Sequence, residues 1–182
     1  MKYEKGFSLI ETLVAVTLLT VAIVAPMSLI SKSLSAAYYA RDQIIASHLA
    51  QEAIETVRHV RDNNILKTAL GAPTDILDGF PIGVPFTVST LDDSIDAASC
   101  SSGTCPPLQL DPTETFYAYG SGWTDTRFTR TVEAEAVSLI NDIPQEIRLS
   151  VTVTWRTGSF QTRSITLSEN LYRWIEDGSG LE

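Results

Sequence analysis

The chain has 182 residues, two cysteines and a formal net charge of −9, from 13 Lys and Arg against 22 Asp and Glu. Domains commonly run to about 100 to 150 residues, so this length holds one membrane helix and one modest domain, with no room for a second core. An acidic chain whose Lys and Arg are scattered lacks the basic patch that a general grip on nucleic acid requires, because such a grip works by neutralising phosphates.

The first thirty residues set a short charged leader ahead of an apolar run from Phe7 to Ile30, in which Glu11 is the only full charge. At 1.5 Å per residue a helix of this length matches the roughly 30 Å hydrocarbon thickness of a bilayer. A carboxylate costs up to about 3 kcal/mol if charged at the helix centre and less near the interface, so its presence suggests a partner charge. Lys2 and Lys5 precede the span, whereas Lys32 and Arg41 are spread along a stretch leading into an acidic domain. This asymmetry places the N-terminus in the cytoplasm and the remainder of the chain outside the cytoplasmic membrane.

Lys5-Gly6 followed by Phe7-Ser8-Leu9-Ile10-Glu11 closely resembles the class III signal of type IV prepilins and pseudopilins, which reads basic residue, Gly, aromatic, Ser or Thr, Leu, apolar, Glu. The resemblance implies cleavage between Gly6 and Phe7 by an integral-membrane aspartic prepilin peptidase, N-methylation of Phe7, and retention of the apolar helix. A secretory signal is instead cut after its apolar segment at a small-x-small site, for which Ala22 and Ala25 could be mistaken. Loss of Lys2, Glu4 and Lys5 with the leader changes the side-chain charge from −9 to −10. In an assembled filament Glu11 would meet the new amine of Phe7 in a neighbouring subunit, and a staggered helix would leave both charges unpaired, so the pair sets register. The plainer alternative leaves Glu11 among lipid headgroups.

Pro26 removes one backbone hydrogen bond and clashes with the preceding turn, so a kink or local unwinding is expected there, though membrane helices tolerate proline. Beyond the apolar run, Ile45, Leu49, Ala53, Val57 and Val60 recur at three- and four-residue steps and continue one helical stripe. Arg41, Asp42, Gln51, Glu52, Glu55, Arg58 and Arg61 fall on the opposite positions, as on a solvated or inter-subunit face. His48 with Glu52, and Glu55 with His59, have the i, i+4 spacing of exposed helix pairs. Asp62-Asn63-Asn64 is expected to end the helix, which from Phe7 would be on the order of 80 Å long. The string from Leu49 to Asn63 is similar to a segment common in PilV-like minor pilins.

Residues from about Lys67 to Gly83 hold Gly71, Pro73, Gly79, Pro81 and Gly83 and read as an irregular connection. Asp75 and Asp78, with Asp92, Asp93 and Asp96, form no twelve-residue calcium loop and read as solvated. A first strand is expected over Val84 to Thr90, and Asp92 to Asp111 carries Cys100-Ser-Ser-Gly-Thr-Cys105. That spacing suits a disulfide-closed loop, which the extracytoplasmic location permits. Two thiols without a nearby second Cys/His pair cannot complete a four-ligand zinc site, so no metal is expected.

Further strands are expected at Phe116 to Tyr119 and Phe128 to Val137. Ile147, Leu149, Val151, Val153 and Trp155 alternate strictly with polar residues, as in a half-buried antiparallel strand. Thr157-Gly158-Ser159 makes a turn, and Phe160 to Leu171 returns with Ile165, Leu167 and Leu171 inward. The expected division is a leader at 1–6, an apolar helix half at 7–30, an amphipathic half at 31–64, a connection at 65–83 and a β domain at 84–182. The class is α+β, and the resemblance implies the lollipop arrangement of pilins, a long N-terminal helix on a C-terminal antiparallel sheet.

No Gly-x-Ser-x-Gly elbow, phosphate-cradling loop or His-Glu-x-x-His helix occurs. Glu133 and Glu135 share one strand face and read as solvated acids, so neither an enzyme nor a cofactor is expected. The resemblance implies a structural subunit, a minor pilin of a type IV pilus, in a priming or tip complex. Its partners would be other pilin subunits, the prepilin peptidase, the pilus assembly platform protein and, before assembly, the cytoplasmic membrane; its final place would be the cell surface. A pseudopilin of a type II secretion or DNA-uptake system is the alternative within the family. Outside it stands a membrane-anchored binding module that does not polymerise, with Phe116, Tyr117, Tyr119 and Trp123 as its patch.

Overall fold

The computed structural model describes residues 6, 8–72, 74–100, 103–113, 115–157 and 161–173. Met1 to Lys5 of the leader, Phe7 of the cleavage site, Pro73, the Gly158-Ser159 turn, Phe160 and the residues after Arg173 lie outside them. The chain divides into two compact units, Met1–Arg41 and Asp42–Glu182.

One helix, α1, covers Leu9–Ala69. In the first unit it begins at Ser8, whose hydroxyl accepts from the Glu11 N–H at 3.3 Å and whose carbonyl accepts from Thr12 N–H at 3.2 Å. Ser8 is thus an N-cap, and Glu11 lies in the first turn, where a carboxylate complements the helix dipole. Thr12, Thr17 and Thr20 turn their hydroxyls back onto the carbonyls of Leu9, Val14 and Thr17 at 2.8 Å. These bonds satisfy polar groups that an apolar medium would otherwise leave unpaired. Pro26 lies inside the helix.

In the second unit α1 buries Ala46, Leu49, Ala50, Ala53, Ile54 and Val57, with Ile45 and Val60 packed at the margin. Three of these positions are alanine, so Leu49, Ile54 and Val57 are the large side chains that α1 puts into the core. The helix continues past Asp62-Asn63-Asn64 to Ala69, which corrects the expected stop. Asn64 is buried, and its amide donates to the carbonyls of Ile76 at 3.3 Å and Asp78 at 3.0 Å, so it ties the helix to the connection instead of ending it. The helix closes at Gly71, where φ is +87°, with Gly71 N–H bonded to Thr68 O and Ala72 N–H to Lys67 O, the paired bonds of a Schellman cap.

The strands are β1 (Thr87–Ser89), β2 (Ser94–Asp96), β3 (Pro107–Leu110), β4 (Tyr117–Ala118), β5 (Thr124–Ile140), β6 (Ile143–Thr157) and β7 (Gln161–Tyr172). β1 and β2 form a small hairpin, and the other five make an antiparallel sheet in the order β4-β3-β5-β6-β7. The expected strand over Val84 to Thr90 shortens to β1, with Ile82 and Phe86 making single bridges to β5, in a stretch where Gly83 and Pro85 interrupt regular pairing. β2 and β3 lie inside the stretch expected only to carry the cysteine loop.

β5 and β6 exceed their expected lengths and meet in a two-residue turn at Asn141 and Asp142, whose φ angles of 53° and 63° suit a tight hairpin. The strict alternation in β6 holds: Ile147, Leu149, Val151, Val153 and Trp155 are all buried against α1 and the loops. On the other face Ser150 meets Ser168, and Thr152 meets Thr166, across β6 and β7 at 3.0 and 2.9 Å. A long N-terminal helix whose second half packs on an antiparallel sheet is the α+β class expected.

Candidate functional site

The N-terminal segment of α1 holds the motif residues described by the structure. Gly6 is exposed and non-helical, and a Cβ there would meet nothing within 4 Å, so the chain's own packing does not require glycine at this position. Glu11 is exposed, and among the described residues it forms no ion pair. From Leu9 to Ile30 the large apolar side chains all face outward, and none of the most apolar window is covered by the protein itself. By length and composition this helix is able to cross a membrane. An uncovered apolar surface of this size calls for hydrocarbon or other chains against it.

Cys100 and Cys105 are joined in a disulfide, both nearly buried, with Cys105 beneath the Phe86 carbonyl. Among the described residues no group of three His, Cys, Asp or Glu gathers as metal ligands would. Among the described residues, neither His48 with Glu52 nor Glu55 with His59 forms an ion pair. Glu55 pairs with Arg58, whose guanidinium also reaches Glu169 at 2.6 Å, and this hydrogen bond raises the Arg58 pKa. His59 stands 3.3 Å from Asp93 and 3.1 Å from the Asn63 amide. Glu55 and Asn63 are thus partners on α1 itself, while Glu169 of β7 and Asp93 of the β1–β2 turn add long-range partners to Arg58 and His59.

Two further side chains depart from the solvated reading. Asp42 is 1% exposed, with the Arg127 guanidinium 2.8 Å away. Asp75 accepts both oxygens' bonds from Arg173 at 2.6 and 2.7 Å, and this hydrogen bonding holds its pKa below the usual carboxylate value. Glu133 and Glu135 do stay exposed. Of the four aromatics proposed as a patch, Tyr117 meets Phe128 edge-on at 6.1 Å and Tyr119 packs against the core, while Trp123 is half-buried over Gly120 and Phe116 is exposed. Tyr117, Tyr119 and Trp123 are therefore partly taken up by packing, and Phe116 alone of the four is exposed.

The residue that the strand pattern did not single out is Arg130, 0% exposed in β5. Its Nη1 donates to the Leu49 carbonyl of α1 at 3.0 Å and its Nη2 to the Val88 carbonyl of β1 at 2.6 Å. Glu52 lies 3.9 Å from Nη1. Burial lowers the Arg130 pKa, and the charges of Tyr119 and Glu52 act against that. The sequence carried a signal for it, since Arg130 occupies the inward parity between Phe128 and Val132.

Residues 1–25 match the family described as the prokaryotic N-terminal methylation motif. That match, on a chain with this helix and sheet, supports a type IV pilin-like or pseudopilin protein processed by prepilin peptidase. No curated protein and no solved structure matches the chain.

Proposed function

We propose that the chain is a minor pilin, a structural subunit of a type IV pilus or related filament. The observation that carries this reading is the methylation motif over residues 1–25 joined to an apolar helix that its own chain leaves uncovered. In the proposed sequence of events, prepilin peptidase cuts between Gly6 and Phe7, Phe7 is methylated, and the helix waits in the cytoplasmic membrane with the β domain outside. The assembly platform protein then draws it into a filament at the cell surface, in a priming or tip complex. Glu11 meets the Phe7 amine of a neighbour and sets register; its lack of an ion pair among the described residues of its own chain supports an external partner. A pseudopilin of a type II secretion or DNA-uptake system is the alternative reading, because it uses the same helix signal.

The test is the intact mass of the protein expressed with and without a prepilin peptidase. Peptidase-dependent loss of Met1 to Gly6, with a methyl group on Phe7 where the enzyme methylates, is expected. An uncut chain in both conditions would instead support the membrane-anchored binding module. Glu11→Ala should leave the protein inserted while reducing its incorporation into filaments, and normal incorporation would remove the register role.

A further inference from the structure

Within the globular unit, the connection after α1 and the β5–β6 hairpin enclose an open groove. Its floor is Leu77 and Phe80, and its walls are Ile82, 39% exposed, and Ile143, 46% exposed. The hairpin end above it is apolar on both strands, since Ile140 pairs with Ile143 and Leu139 with Pro144, and Val137, Leu139 and Ile140 are all exposed. Of this tip, Ile143 and Pro144 line the groove, beside the floor of Leu77 and Phe80.

The rim is acidic. Asp75 is neutralised by Arg173, but Asp78 and Asp142 are exposed and make no ion pair among the described residues, leaving two uncompensated carboxylates over an apolar floor. Charge therefore selects the occupant. A second copy of this chain brings a net charge of −9. The chain's own residues beyond Arg173 read Trp174-Ile175-Glu176-Asp177, apolar and then acidic. Anionic lipid headgroups are repelled in the same way. A protein surface that offers an apolar side chain together with cations satisfies both features of the groove.

We propose that this groove docks a segment of another protein that presents an aliphatic or aromatic side chain flanked by lysine or arginine. The apolar side chain fills the space over Leu77 and Phe80, and the flanking cations meet Asp78 and Asp142. The groove is made wholly by the globular unit, so the proposal stands whether the chain polymerises or remains an anchored module.

Photo-crosslinking of the full chain in its own cells tests it, with p-benzoylphenylalanine replacing Ile82 in one variant and Ile143 in another, and the adducts read by mass spectrometry. The expected result is one protein partner, crosslinked through a segment in which an apolar residue lies next to lysine or arginine. The adduct should fall roughly fivefold to tenfold in yield when Asp78→Lys and Asp142→Lys are combined, the effect of reversing two exposed charge pairs. Should that pair of changes disturb folding, Asp78→Asn with Asp142→Asn decides, because asparagine accepts the positive φ of position 142; a smaller loss is expected there with unchanged circular dichroism. Adducts to lipid, to a second copy, to residues after Arg173 or to a partner segment without basic residues would each overturn the proposal, as would absence of any adduct from both positions.

Discussion

Leu18 and Leu19, in the first half of α1, are 66% and 60% exposed, whereas Leu49, further along the same helix, is 3% exposed. The residue type and local conformation are the same, and only the surroundings differ. From Ala46 onward the sheet supplies a cover, and each buried leucine contributes about 2 kcal/mol by transfer from water. From Leu9 to Ile30 the chain supplies none, so that segment gains its burial energy only from lipid or from other chains. The comparison separates what the protein can do for itself from what it needs lipid or other chains to do.

The comparison is most sharply challenged in the covered half. Leu49→Ala should cost about 3 kcal/mol, the transfer energy of the lost methyl groups plus a cavity under α1. Arg130→Ala should cost a similar amount, because it opens a larger void and deletes the bonds to Leu49 O and Val88 O. Arg130→Met should be milder, since an apolar chain of comparable length fills the space without a buried cation to desolvate. Urea unfolding of the full chain in detergent, followed by near-ultraviolet circular dichroism, measures all three. If the methionine and alanine variants lose equal stability, the guanidinium's bonds and not its volume hold helix to sheet.

A smaller effect is expected at the Cys100–Cys105 bridge, which closes a short loop. Replacing both cysteines by alanine should cost about 2 kcal/mol, by releasing the unfolded chain. A loss well above that would mean that the bridge also holds Phe86, which lies fully buried beside it.

Acid acts on the same unit. The Asp111 carboxylate accepts from the Thr113 hydroxyl and from the N–H groups of Phe116 and Thr115, and these bonds hold its pKa down to about 2 against a reference of 3.8. The folded state therefore binds its proton less readily than the unfolded state. The contribution is fully present above the unfolded value and is lost as the pH falls from about 4 toward about 2. Asp75, held down by Arg173, acts in the same direction. Unfolding midpoints measured from pH 5 to pH 2 should fall less steeply in Asp111→Asn than in the parent, and identical slopes would show that these bonds do not persist in solution.

Much of this unit could be read in the sequence where one period dominates. The alternation from Ile147 to Trp155 gave β6 its inward face, and the three- and four-residue stripe from Ile45 to Val60 gave α1 its buried side. The end of α1 was less legible, because Asn64 reads as a local breaker and becomes a long-range donor only once Ile76 and Asp78 are placed beside it. Asp42 and Asp75 were obscured for the same reason: their partners lie far away in the chain, so charge alone suggested solvent. β2 and β3 are too short to show a period. The groove beside the β5–β6 turn was equally hidden, since Leu77, Phe80 and Ile143 belong to segments that meet only in the fold.

The smallest expected effect is the most direct test of the contrast within α1. Leu19→Ala removes as much apolar surface as Leu49→Ala, yet in detergent it should shift the unfolding of the globular unit by less than about 0.5 kcal/mol, because no side chain of the protein covers that position. Helicity of the first half should also persist, since alanine has the highest helix propensity. If the same variant nevertheless lowers filament incorporation, the missing cover is another subunit, because that loss would arise where only neighbouring helices touch Leu19. A substantial loss of stability in the isolated, detergent-solubilised chain would instead show that the first half finds a partner within its own chain, and the division between a self-sufficient and an assembly-dependent half would fail.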